Sequence, residues 1–434
     1  AGGGGRVDKI VIAGGRALRG EVEAGGSKNS ALPLLFASLL TPEPCGFQNL
    51  PEVADVRTAL HLLQNLGVEV LDKEDHRIRL RAREITRLEA TYELVKTMRA
   101  SFLTLGPLLA REGRARVSTP GGCAIGSRPV NLHLAGLAKM GAEIDIIHGY
   151  VEATAPRIDG GKRRLRGAHV VLDSPSVGAT ENLMMAATLA RGTTRLENAA
   201  REPEIQDLAD ALRAMGAAIE GDGSPALTID GVSSLRGIEH DVIPDRIEAG
   251  TFLVAAAITG GDCLVRNARA AHLDAFLAKL DEAGVEVSAD SGGVRARANG
   301  QLRAVSLGTA PFPGFPTDLQ AQMMALTTVA EGTSVITETI FENRFMHALE
   351  LVRLGAEIEL KGPRAIVRGV RRLSGAPVMA TDLRASVSLV LAGLAAENST
   401  EVLRVYHLDR GYETLERKLS ALGADVRREK ATGP

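Results

Sequence analysis

One ten-residue stretch, Pro120-Gly121-Gly122-Cys123-Ala124-Ile125-Gly126-Ser127-Arg128-Pro129, sets a thiol and a guanidinium among three glycines and two prolines. Glycine permits backbone shapes that other residues resist, so the stretch is predicted to be an exposed, mobile loop. A cysteine in such a loop packs no core. Beside Arg128 it reads as a reactive, electropositively flanked thiol, against the blander reading of a tolerated surface cysteine. Cys45 and Cys263 fall in apolar, strand-like stretches and read as structural.

A second candidate is Gly25-Gly26-Ser27-Lys28-Asn29-Ser30, a glycine-rich turn between a strand and a helix. Backbone N–H groups at a helix start, with a lysine beside them, can hold an anion. The GxxxxGK[ST] spacing of a nucleotide P-loop is absent. Turns at the same place in other parts of the chain carry Lys96-Thr97-Met98-Arg99, Ser174-Pro175-Ser176-Val177-Gly178, Asp245-Arg246, Phe315-Pro316-Thr317-Asp318 and Thr381-Asp382-Leu383-Arg384. Each residue alone reads as a helix cap or a surface ion pair. Together they suit an anionic substrate and a carboxylate base, and Arg344 and Arg410 add two planar forks that match carboxylate or phosphate.

These turns share a place because the chain repeats itself. Gly67, Gly141, Gly216, Gly284, Gly355 and Gly423 each end an amphipathic helix and precede a strand, at spacings of 74, 75, 68, 71 and 68 residues. Six repeats of strand, helix, strand, helix, strand, strand account for nearly the whole chain. In the first, Gly20–Ala24 is expected to lead, followed by a helix over Asn29–Leu40, a strand over Cys45–Asn49, a helix over Val56–Leu66 and a closing strand pair. The first helix of each repeat is apolar nearly all round and is expected to be buried, with half-buried sheets outside it, which makes the class α+β. The strand Asp8–Ile12 has no helix of its own and the last repeat has only one closing strand. The N-terminal strand is therefore expected to complete the last repeat. Two domains follow: 28–243 with three repeats and the Cys123 loop, and 1–27 plus 244–434 with the other three. Chemistry is expected where loops from different repeats converge.

Composition removes several alternatives. The 434 residues are 45% hydrophobic and 24% charged, ordinary for a globular protein. Aromatics make up only 3%, with no Trp, and the net charge is −2, which argues against base stacking and against attraction to nucleic acid or anionic membrane. No apolar run reaches the roughly 18 residues of a membrane helix. The start, Ala1-Gly2-Gly3-Gly4-Gly5-Arg6, lacks the apolar core of a signal peptide and reads as a flexible lead-in. Three scattered cysteines without a CxxC, and nine His without ligand spacing, fit a reducing, cytoplasmic setting and no metal site.

The motifs so collected resemble the UDP-N-acetylglucosamine enolpyruvyl transferases over essentially the whole of Asp8 to Arg427. The most specific stretches are Val95–Ser101, Pro120–Pro129, Glu197–Ile205, Phe315–Gln322, Phe341–Phe345, Ala380–Ser386 and Asp409–Glu413. The resemblance implies a two-domain inside-out α/β barrel (an α/β prism) of six βαβαββ repeats. It implies transfer of the enolpyruvyl group of phosphoenolpyruvate to the 3-hydroxyl of UDP-N-acetylglucosamine, with loss of phosphate, as the first committed step of peptidoglycan synthesis. It implies no cofactor and no metal; protein partners stay unknown. By the same resemblance Cys123 donates a proton to the vinyl methylene, takes part in product release, and is the attachment point for fosfomycin. Asp318 is the general-base candidate. Lys28, Arg128 and Arg410 clamp phosphoenolpyruvate, helped by Arg344 and Arg384, and Asp382 takes part in the late proton transfer. Asn29, Arg99, Pro129, Val130, Asn131, Leu132, Ser176, Val177, Gly178 and Ile340 match sugar-nucleotide contacts. Ligands drawn from both halves imply closure around substrate, with the Cys123 loop as a lid. Asn131, Ser174 and Ala54 depart from the family pattern, where relatives carry Asp, Lys and Lys; the departures bear on nucleotide binding. Two alternatives stand beside this reading: 3-phosphoshikimate enolpyruvyl transferase, and a catalytically inactive scaffold of the same fold.

Overall fold

A computed structural model describes residues 8–120, 130–158 and 160–430. All six glycines that punctuate the repeat are left-handed: φ is 106° at Gly67, 90° at Gly141, 106° at Gly216, 89° at Gly284, 91° at Gly355 and 96° at Gly423. An L side chain resists that conformation, so glycine ends each second helix and turns the chain into the next strand. The buried helices are Lys28–Ala37, Leu105–Glu112, Val177–Ala187, Arg246–Ile258, Gln320–Thr327 and Leu383–Ala395. In Arg246–Ile258 every residue from Ile247 onward is buried, as a helix apolar all round requires.

Each repeat closes with a four-stranded sheet in which one pair is parallel and the rest antiparallel. Each of the six four-stranded sheets has a five-residue strand at the same place: Pro44–Gln48, Arg114–Ser118, Thr193–Glu197, Asp262–Arg266, Thr333–Thr337 and Ser399–Leu403. Burial alternates along the closing strands, as in Arg77–Arg81 and Arg364–Arg368, with one face on the helices and one face wet. Asp8–Ala13 pairs antiparallel with both Ser399–Leu403 and Asp425–Lys430, so an N-terminal strand lies inside the last sheet.

One strand assignment needs correcting. The leading strand, Arg19–Glu23, does not join the first repeat. It pairs in parallel with Asp262–Arg266 of the fourth. The parallel partner of Pro44–Gln48 is instead Ile238–Asp241, nearly two hundred residues later in the chain. An alternating edge strand fits any sheet of this construction, and only chain geometry selects which.

The described residues form two compact units. Of the described residues the central unit takes 26–120, 130–158 and 160–243 and the terminal unit 8–25 with 244–430, so the chain passes between them near Gly25 and near Ile243. The central unit has its own core around Phe36, Phe47, Leu62 and Leu108. The terminal unit has another around Ile10, Ile12, Phe252 and Phe276.

Candidate active site

The turns before the buried helices do not all spend their side chains in the same way. Ser176 caps Val177–Ala187 by accepting from Ala179 N, and Asp245 caps Arg246–Ile258 by accepting from Ile247 N and Glu248 N. Asp382 caps Leu383–Ala395, its Oδ1 accepting from Arg384 N at 2.9 Å and Ala385 N at 3.0 Å. In the fifth repeat the helix starts instead with a 3₁₀ turn, Thr317–Leu319, preceded by Pro316, which has no side-chain acceptor. Asp318 lies within that turn, and its carboxylate goes to two guanidiniums.

Arg344 Nη2 donates to Asp318 Oδ1 at 2.7 Å and Arg384 Nη2 donates to Asp318 Oδ2 at 3.0 Å. Both arginine side chains are buried, while Asp318 keeps 25% of its side chain exposed. Arg344 comes from the turn ahead of the helix Met346–Arg353, in the same repeat as Asp318, and Arg384 from the helix Leu383–Ala395 of the next, so two repeats meet on one carboxylate. Arg384 Nη1 also donates to the Tyr412 hydroxyl at 3.1 Å, which meets Thr251 Oγ1 at 2.9 Å. Burial works against the charge on Arg384, but Asp318 and Tyr412 outweigh it and raise its pKa above the ordinary guanidinium value.

The rest of the terminal unit's candidates lie around this cluster. Arg410 closes the 3₁₀ helix Val405–Arg410. It stands near enough to His407 to hold that imidazole, already disfavoured by burial, below its ordinary pKa. His347 is fully buried; burial pushes its pKa down to about 4, Asp382 opposes that and Arg344 reinforces it. Ile340 N–H is spent on Glu338 Oε1 at 2.8 Å.

In the central unit, Lys28 opens the helix Lys28–Ala37 and Asn29 follows it. Lys28 Nζ pairs with Asp55 Oδ2 at 3.2 Å, both side chains being largely buried. Ser30 donates to Asp207, which also meets His240 Nε2 at 2.8 Å. A second group forms around His133. Its Nδ1 accepts from Asn182 Nδ2 at 3.0 Å, and its ring meets Phe102 edge-on at 5.2 Å. Burial, reinforced by the Arg99 charge, pushes His133 down to about 3. A Cβ at Gly178 would come 3.3 Å from the His133 ring, so the start of Val177–Ala187 packs on it. Asn131 and Leu132 begin the helix that carries His133, with Val130 just before it. Arg99, Val130 to Leu132 and Ser176 to Gly178 are thereby gathered in one neighbourhood. Cys123, Arg128 and Pro129 lie outside the described residues.

Sequence reasoning missed Asp55, His133, Glu338, His347 and Tyr412. The side chains that hold Glu338 (Thr309, Thr317 and Gln320) and the Asp382 charge that acts on His347 are remote in the chain. Asp55 had a signal, an acid in the first turn of its helix, but nothing local tied it to Lys28. Among the described residues no group of His, Cys, Asp or Glu could hold a metal ion, and no helix is long and apolar enough to cross a membrane.

The chain matches the family model described as EPSP synthase (3-phosphoshikimate 1-carboxyvinyltransferase) over residues 12–419. A UDP-N-acetylglucosamine 1-carboxyvinyltransferase of Geobacter metallireducens is 56% identical over 98% of this chain and 100% of that relative. Another, from Anaeromyxobacter sp. (strain K), is 59% identical over 97% of this chain and 99% of its own. Among solved structures, the enolpyruvyl transferase NikO from Streptomyces tendae aligns with a TM-score of 0.86 at 26% identity, covering 98% of this chain and 99% of that one. An EPSP synthase from Acinetobacter baumannii aligns with a TM-score of 0.75 at 18% identity, covering 97% of this chain and 100% of that one; this likeness concerns the fold alone.

Proposed function

The chain belongs to the EPSP synthase family of enolpyruvyl transferases, and from that premise we infer that it transfers the enolpyruvyl group of phosphoenolpyruvate to the 3-hydroxyl of UDP-N-acetylglucosamine, releasing phosphate. The observation that carries this is the near end-to-end identity with UDP-N-acetylglucosamine 1-carboxyvinyltransferases. The two-domain α/β prism is the fold that goes with it. The match to a 3-phosphoshikimate family model covers the wider family and does not outweigh relatives more than half identical. The product would enter peptidoglycan synthesis.

The roles of individual residues are our proposal. The sugar hydroxyl oxygen attacks C2 of phosphoenolpyruvate while its proton passes to Asp318. A proton from Cys123 goes to C3, which becomes a methyl group. In the second half a C3 proton leaves, the C2–O(phosphate) bond breaks, and the double bond reforms in the product ether. Acid and base on opposite sides of the double bond are what such an addition needs.

The geometry around Asp318 adds a condition. Both of its oxygens are held by guanidiniums. A trianionic co-substrate competes for those guanidiniums. As it draws Arg344 or Arg384 to itself, with Lys28, Arg128 and Arg410 completing the clamp, the Asp318 carboxylate turns from the arginines toward the sugar hydroxyl. Base activation is thus coupled to anion binding, and the same cations stabilise charge in the tetrahedral intermediate. Asn29, Arg99, Pro129, Val130, Asn131, Leu132, Ser176, Val177, Gly178 and Ile340 are proposed to bind the nucleotide sugar, and Asp382 to serve the late proton transfer.

The test is phosphate release with both substrates, on the parent chain and on Asp318→Asn. The parent should release phosphate with UDP-N-acetylglucosamine and not with shikimate 3-phosphate. The variant should bind UDP-N-acetylglucosamine but turn over at least about a hundredfold more slowly. No release by the parent would make the chain an inactive scaffold, and parent-like turnover by Asp318→Asn would move the base elsewhere.

A further inference from the structure

Five of the six central strands are followed by a residue whose conformation or bonding stands out. After Pro44–Gln48, Thr193–Glu197 and Asp262–Arg266 this residue is asparagine, with φ of 54° at Asn49, 58° at Asn198 and 63° at Asn267. After Ser399–Leu403 it is Arg404, also left-handed at 59°. The asparagines donate across to the end of the neighbouring parallel strand: Asn49 Nδ2 to Val242 O at 2.8 Å, Asn198 Nδ2 to Leu172 O at 2.9 Å and Asn267 Nδ2 to Glu23 Oε1 at 2.7 Å.

After Thr333–Thr337 the place is taken by Glu338, which is buried and does not have a positive φ. The junction keeps its position but reverses its polarity. Thr309, at the end of the neighbouring strand Leu307–Gly308, now donates its hydroxyl to Glu338 Oε1 at 2.8 Å. Ile340 N and Phe341 N donate to the same oxygen at 2.8 Å and 3.2 Å. Oε2 accepts from Thr317 Oγ1 at 2.9 Å and from Gln320 Nε2 at 3.2 Å. Five donors converge on one buried carboxylate where a simple turn would need none. A buried charge is retained at such a place only when its hydrogen bonds are complete, and these are.

The consequence lies one bond further on. Thr317 donates its hydroxyl hydrogen bond to Glu338, so its oxygen is left to accept, and it accepts from Arg344 Nη1 at 2.9 Å. The other end of that fork, Nη2, holds Asp318. Gln320 Nε2 bridges Glu338 and the Arg344 carbonyl at 3.1 Å, which fixes the backbone of the same arginine. We propose that Glu338 is a positioning residue for the transfer reaction: through Thr317 and Gln320 it sets the angle of the Arg344 fork and thereby the aim of Asp318 at the sugar hydroxyl. Reversing the polarity of a turn conserved in shape elsewhere in the molecule is what makes that alignment possible. The inference rests on Asp318 being the base.

Glu338→Gln keeps the volume but replaces one acceptor by a donor facing donors. It should lower kcat about ten- to a hundredfold, the scale of a misaimed catalytic group, with the KM for UDP-N-acetylglucosamine nearly unchanged. Glu338→Asp, which keeps the charge, should recover part of the loss. Thr317→Val removes only the relay hydroxyl and should reproduce the kcat loss, and Glu338→Gln combined with Thr317→Val should cost little more than either alone. If Glu338→Gln does not fold, as judged by thermal melting, the kcat and KM of Thr317→Val decide the matter. Parent-like kcat in both folded single variants, or losses that multiply in the double variant, would overturn the proposal. Asp318→Asn run alongside separates the two ideas. An inactive Asp318→Asn with fully active Glu338→Gln and Thr317→Val sinks only the role of Glu338; an active Asp318→Asn sinks the premise.

Discussion

At the scale of single residues, burial decides which groups can react. Burial pushes the Cys45 thiol up to about 11 and the Cys263 thiol up to about 12, so neither supplies thiolate near neutral pH. Fosfomycin or iodoacetamide applied to the folded protein at pH 7 should therefore modify Cys123 and spare the other two. Peptide mapping that found adducts on Cys45 or Cys263 without unfolding would contradict this. The same principle gives a pH dependence. His133 is held down to about 3 and His347 to about 4, against an ordinary value of 6.5. Between those values the unfolded chain binds protons that the native chain refuses. Stability from these two groups is complete above pH 6.5 and is lost as pH falls through the window toward 3. His133→Gln, which cannot titrate, should flatten the acid decline between pH 7 and 4.5 by up to roughly 3 kcal/mol, read from urea unfolding at the two pH values. An equal decline in parent and variant would mean that His133 is charged in the native state.

At the scale of elements, the glycines divide into those needed for conformation and those needed for space. Gly216 has φ of 106° and nothing within 4 Å of a built Cβ. Gly369 has no positive φ, yet its Cβ would lie 1.6 Å from the Ala330 carbonyl oxygen. Gly216→Ala should therefore cost only the left-handed strain, about 1–2 kcal/mol. Gly369→Ala should cost clearly more, since backbone must move against a packed helix end. Thermal or urea melts of the two variants would check the order, and a reversal would show that the helix stop matters more than the close approach. The capping pattern belongs to this scale too. Asp245 and Asp382 close helix ends, while Asp318, set one residue into a 3₁₀ turn behind a proline, does not. A place two residues past the cap leaves this carboxylate's oxygens to the arginines instead of to the helix end.

At the scale of the whole molecule, the N-terminal strand Asp8–Ala13 serves as an inner strand of the terminal unit's last sheet, with Ile10 and Ile12 fully buried. Ile12→Asp would put an unpaired charge into that core. Hydrogen exchange should then report lost amide protection in Ser399–Leu403 and Asp425–Lys430; undiminished protection there would show that the sheet closes without this residue. The repeat itself was legible in the chain, because helix periodicity, apolar helices and a glycine that must be left-handed are all local properties. So was the family, and the turn residues Asp318, Arg344 and Arg384 stood out as candidates by their shared place in the repeat. The tertiary structure decided that Arg19–Glu23 serves the fourth repeat and Ile238–Asp241 the first. It also decided that Asp318 faces two arginines and that Glu338 stands behind one of them. The physical reason is common to these cases. Alternation tells a strand which face to bury but not which sheet to join, and a carboxylate's type tells what it can bind but not which distant side chain the fold will bring to it.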